Sequence, residues 1–180
     1  MSGSVNKKGS TPEFGVLLYD VPKGNISLYQ KIVKLIRSRA TRINKSVWLC
    51  PWGQKEAIER LLDSEQASGG VSYGFIATHD QDKELLAERA KQSLAREIDN
   101  IHKRIKEKID KLEKEGQAPH LTAGQARGLR RQFKDMESAL AVFKLTQDFE
   151  SSLTKLQEVV TSQLHQAGVS ETGGRKKLVF

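Results

Sequence analysis

Apolar and polar positions change their rhythm near residue 80 of this chain. Phe14-Gly-Val-Leu-Leu-Tyr19 is a short apolar run halted by the turn signal Asp20-Val-Pro-Lys-Gly24, which predicts a strand. From 27 to 40, Leu28, Ile32, Leu35 and Ile36 share one helical face, with Ser27 placed to cap it. Ser46-Val-Trp-Leu-Cys50 predicts a buried strand, ended by Pro51-Trp-Gly53. Residues 54–65 are helical again, with Ala57, Ile58, Leu61 and Leu62 inward. Gly69-Gly70 breaks the chain, and Val71 to Thr78 alternates around Tyr73 and Phe75 as a third strand. No fourth strand stands out.

Beyond residue 80 the pattern is helical. Leu94, Ile98, Ile101, Ile105, Ile109 and Leu112 are spaced 4, 3, 4, 4 and 3 apart, the period of a helix with one buried stripe. The stretch from Gly116 to Thr122, with Pro119, ends it. Leu129, Phe133, Met136, Leu140 and Phe143 repeat the spacing in a second helix. Phe149, Leu153, Leu156, Val160 and Leu164 repeat it in a third. The expected fold class is α+β: a small ferredoxin-like sheet module over 14–80, then a three-helix bundle over 81–167. Residues 1–13 read as a disordered leader and 168–180 as a flexible basic tail, with Gly173-Gly174 and Arg175-Lys176-Lys177.

Composition removes several function classes. No apolar run approaches the roughly 20 residues of a membrane span, and the N-terminus has no secretory apolar stretch. A cytoplasmic protein without membrane contact is expected. A single cysteine, Cys50, excludes an internal disulfide framework and a multi-cysteine zinc site. The histidines His79, His102, His120 and His165 are scattered without metal-ligand spacing, and no phosphate-loop glycine pattern occurs. Cys50, inside an apolar strand, reads as a buried thiol. Trp48 and Trp52 bracket Pro51, where core packing competes with a stacking platform. No cofactor is expected.

Charge is the densest signal. The chain carries 30 Lys+Arg against 22 Asp+Glu, a net charge of +8. Between Lys23 and Lys45 lie seven basic residues (Lys23, Lys31, Lys34, Arg37, Arg39, Arg42 and Lys45) and no acidic one, so this segment alone supplies +7. Cations at a helix C-terminus gain from its dipole, which explains one or two of them. The rest point to a phosphate-binding surface, on which Lys31, Lys34, Arg37, Arg39, Arg42 and Lys45 are the candidate contacts. A second stripe, Arg127, Arg130, Arg131 and Lys134, falls at i, i+3, i+4 and i+7, roughly opposite the apolar face of its helix. The expected partner is nucleic acid, double-stranded DNA, met by a homodimer whose twofold aligns two basic surfaces along a duplex. Asp20, directly after the first strand, is either a turn-initiating residue or a weak ligand for a divalent cation.

These residues also carry two resemblances. Leu17-Leu-Tyr-Asp-Val-Pro22, the basic helix and Asn44-Lys-Ser-Val-Trp-Leu-Cys-Pro51 resemble the N-terminal domain of the chromate-resistance regulator family. The likeness continues through Leu129-Arg-Arg-Gln-Phe133, Asp148-Phe149 and Leu153 to Leu164, and so spans roughly 14–166. It implies transcriptional regulation through DNA binding, alongside metal or oxyanion resistance. More distantly, Tyr19-Asp20 and Ser46-Val-Trp48, within 14–78, are similar to the ferredoxin-fold CRISPR adaptation nuclease family and to the same module in phenylacetate-degradation repressors. That resemblance implies a metal-dependent nuclease with Asp20 as a ligand for Mg²⁺ at a dimer interface. A third possibility is an interaction or assembly factor that docks an acidic protein through its helical half.

Overall fold

The structure is a computed structural model that describes residues 13–67 and 70–169. Residues 1–12 of the expected leader, Gly69, and the part of the expected tail beyond Val169 lie outside the described residues. The chain divides into two compact units, the first running through Ser93 and the second starting at Leu94.

The first unit holds β1 (Phe14–Asp20), α1 (Ile26–Ile36), β2 (Thr41–Asn44), β3 (Val47–Pro51), α2 (Lys55–Ala67) and β4 (Ser72–Ala77), then the start of α3 (Lys83–Lys114). The strands form one antiparallel sheet in the order β2-β3-β1-β4. β1 is central because it is flanked on both sides, Leu17 lying opposite Trp48 of β3 and Phe75 of β4. Its alternation sends Leu17 and Tyr19 into a core with Ile32, Ile36, Trp48, Cys50, Ile58 and Leu62, while Leu18 turns to the other face. On that other face Leu49 and Thr41 are fully buried. The start of α3 reaches them there, with Thr41 Oγ1 donating to Ser93 Oγ (2.8 Å) and Ser93 Oγ to the Arg42 carbonyl (2.8 Å).

Three expectations need correction. The sheet has a fourth strand, β2, hidden because it is only four residues long, has three exposed positions and shifts register between Arg42 and Asn44. The first helix stops at Ile36 instead of reaching residue 40, since Thr41 is drawn into the sheet. Its cap is Asn25 and not Ser27: Asn25 Oδ1 accepts from the Leu28 N–H at 3.0 Å, after Gly24 turns the chain at φ 87°.

Gly15 has a packing reason. A Cβ built there would sit 2.8 Å from Cε3 of the Trp52 indole, which closes over the strand. Gly15→Ala is therefore expected to destabilise the protein by about 1–3 kcal/mol through overpacking, read as a lower urea midpoint at unchanged m-value.

The second unit comprises the rest of α3, α4 (Ala123–Val142) and α5 (Glu150–Gln166). α3 begins earlier than its apolar stripe suggests, at Lys83, and ends at Lys114 ahead of Gly116, whose φ of 67° suits only glycine without strain. Thr122 and Gln125 form a reciprocal capping box at the start of α4. Leu94, Ile98, Ile101 and Ile105 of α3 pack with Leu129, Phe133, Met136 and Leu140 of α4 and Leu153, Leu156, Val160 and Leu164 of α5. The whole is an α+β architecture, an open antiparallel sheet followed by a helical region.

Candidate nucleic-acid interface

The basic segment is distributed over three elements. Lys31 and Lys34 lie on α1, Arg37 caps its C-terminus, Arg39 follows it, Arg42 sits in β2, and Lys45 occupies the β2–β3 turn. Arg42 thus lies in a strand that the pattern of apolar positions does not reveal.

Two phenols build the geometry at this end of the sheet. The Lys45 carbonyl accepts from Tyr19 Oη (3.1 Å) and from Tyr29 Oη (3.4 Å). The Tyr19 backbone N–H donates to the Ser46 carbonyl at 3.1 Å, so the β2–β3 turn is latched onto the end of β1. Arg42 Nη1 donates to Tyr29 Oη at 3.1 Å, and the two tyrosine rings lie 6.2 Å apart. Arg42 and Lys45 both remain exposed. A guanidinium held by one neutral hydroxyl keeps its remaining donors for a further acceptor, such as a phosphate oxygen. Tyr29 is the residue that sequence reasoning missed, because its partner strand was not visible.

Charge partners separate the candidates. Lys31 Nζ is 2.8 Å from Glu65 Oε1, and Glu65 is nearly buried, so Lys31 neutralises a carboxylate of α2. Lys34, Arg39, Arg42 and Lys45 form no ion pair among the described residues. Arg39 Nη1 donates to Ser38 Oγ at 3.1 Å, and Arg37 is half-buried.

In the helical unit, Arg127, Arg131 and Lys134 are exposed on α4 and form no ion pair among the described residues, while Arg130 is half-buried at the margin of the apolar face. A cleft of about 200 Å³ between α3 and α4 adds Arg104 and Lys108, with Gln125 and Gln132 opposite. The mixed charges of 103–115 concealed this, since Lys103 and Lys111 are paired along the helix with Glu107 and Glu115 whereas Arg104 and Lys108 are not.

Asp20 ends β1, exposed and opposite Ser72. No group of three or more His, Cys, Asp or Glu that could hold a metal ion occurs among the described residues. Trp48 is core, and Trp52 is half-buried with Lys55 Nζ 5.3 Å from its ring centroid. No helix among the described residues is long and apolar enough to cross a membrane.

Burial weakens two acids here. The Cys50 thiol, against the Gly15 carbonyl at 3.5 Å, is pushed up to about 12, and the Tyr19 phenol likewise to about 12. Both ionise more easily when unfolded, so the fold favours their protonated forms. Their contribution is complete below pH 9 and is lost as pH rises toward 12. Urea midpoints are expected to hold up to about pH 9 and then fall steadily; a midpoint constant to pH 11 would contradict this.

No family model, curated protein or solved structure matches the chain.

Proposed function

We propose that the chain is a DNA-binding protein acting in transcriptional control, without cleaving its target. Arg42 and Lys45, supported by Lys34, Arg37 and Arg39, contact backbone phosphates, and Arg127, Arg131 and Lys134, with Arg130 beside them, form a second footprint. The observation that carries this reading is the Arg42–Tyr29–Lys45 arrangement: an exposed guanidinium held by a neutral hydroxyl beside an exposed lysine whose backbone carbonyl the same hydroxyl fixes, both without acidic partners among the described residues. A charged side chain serving only solubility does not need a half-buried tyrosine to orient it. The succession β1-α1-β2-β3-α2-β4 with β1 and β3 central supports a ferredoxin-like reading of the first unit. The resemblance to the chromate-resistance regulator domain supports the regulatory role.

The test is binding of the purified chain to labelled duplex DNA over a salt series, with and without Mg²⁺. Expected is steep salt-dependent binding that leaves the DNA intact. Absence of binding at low salt would overturn the proposal. Fragments formed only with Mg²⁺, and lost in Asp20→Asn, would replace it with the nuclease alternative.

A further inference from the structure

The two edges of the sheet differ in kind. β2 is short, contains Arg42 and is broken by a register shift, three features that discourage another strand from adding to it. β4 has none of them. It pairs with β1 in unbroken register from Ser72 to Ala77, and no charged residue or proline occurs from Gly70 to Thr78. On the face of β4 away from the α1–α2 core, Ile76 is 54% exposed. The position of a Cβ at Gly74 meets nothing within 4 Å.

We propose that β4 is a dimerisation edge and that its occupant is β4 of a second copy of this chain, antiparallel about a twofold axis at Phe75. The strand is complementary to itself in that register. Residues directly opposite in an antiparallel pair share a face, so Ile76 of one copy lies over the open Gly74 of the other. Tyr73 lies opposite Ala77, and Phe75 meets its own symmetry mate, an aromatic cross-strand pair. Ile76 and Tyr73 thus face small residues, and no like charges are opposed within the strand pair. The Thr78 N–H already donates to the Phe14 carbonyl at 3.2 Å. Alternation then aims the N–H groups of Tyr73, Phe75 and Ala77 away from β1, toward the new partner. An isologous contact uses each edge once and closes as a dimer, not a fibre.

Charge argues for the same edge. Each copy carries +8, and the sheet order puts Arg42 on the edge opposite β4. Two positively charged copies therefore meet along their uncharged strands and keep Arg42 at the far ends. In the resulting eight-stranded sheet, β2 and its mate are separated by seven inter-strand steps of about 4.8 Å. The span of roughly 34 Å is close to one turn of B-DNA. This spacing gives the dimer a role that rests on the DNA-binding reading; the dimer itself does not.

The test is the mass of the full chain in solution, by sedimentation or light scattering. Wild type is expected at twice 20.2 kDa. Gly74→Lys/Ile76→Lys and Gly74→Glu/Ile76→Glu, which oppose like charges, are each expected at the monomer mass. An equimolar mixture of the two is expected to recover the dimer. A monomeric wild type, or a Lys/Lys variant that dimerises as wild type does, overturns the proposal. Should the variants fail to fold, amide exchange in wild type decides. Protection of Tyr73, Phe75 and Ala77 that grows with protein concentration supports the β4 pairing, and protection independent of concentration refutes it. A dimer that binds no DNA would sink the functional reading alone, and a DNA-binding monomer would sink this one alone.

Discussion

Arg42→Ala/Lys45→Ala should weaken duplex-DNA binding about 100-fold at moderate salt, taking about 1.5 kcal/mol for each charge-assisted hydrogen bond. The slope of log affinity against log salt should also become shallower by about 2, near 0.9 per lost phosphate contact. The loss should be alike for unrelated DNA sequences, because phosphates carry no base identity. Both side chains are exposed and neither is in an ion pair among the described residues, so the fold should survive with its urea midpoint little changed. Lys31→Ala provides the contrast. Its ammonium is matched to the nearly buried Glu65, so it should lower stability while leaving the salt slope intact. If the pair of alanines leaves the slope unchanged, β2 and its turn are not the DNA-contacting surface.

Leu17→Ala is expected to destabilise the protein by about 3–4 kcal/mol, within the range for fully buried leucines that leave a cavity. Leu17 has no exposed surface and sits on the central strand between β3 and β4, facing α1 and α2. Neighbours fixed by the sheet on both sides have little freedom to close the void. The next residue behaves differently. Leu18 is 39% exposed on the opposite face, and Leu18→Ala should cost well under half as much. Since domains are stable by only about 5–15 kcal/mol, the first change should shift a chemical denaturation midpoint far more than the second. Equal shifts would mean that β1 is in a different register.

Both predictions depend on facts that differ in how far the chain itself discloses them. Local periodicity was enough for the elements that bury a full face. The spacing of Leu94 to Leu112 announces α3 and Leu129 to Leu140 announces α4, while the apolar run of 14–19 with its turn signal and the alternation in 71–78 announce β1 and β4, because such runs and repeats are properties of adjacent positions. The same holds for the concentration of positive charge between Lys23 and Lys45, which is a matter of counting. β2 has no such repeat. Thr41 is buried by Leu49 and Ser93, residues that only folding brings near, and the exposed Arg42, Ile43 and Asn44 leave no periodic trace. Pairing of charges is likewise a tertiary matter. Glu65 lies 34 positions from Lys31 in the chain yet removes it from the free cations, while Tyr29 orients Arg42 across the sheet edge. The sequence alone determined the α+β class, the helical stripes and the positive sign of the 23–45 segment, since each follows from neighbouring residues. The tertiary structure decided which cations lack an ion pair among the described residues, where the fourth strand lies and which strands form the edges of the sheet, because those depend on groups distant in sequence meeting at distances of a few ångströms.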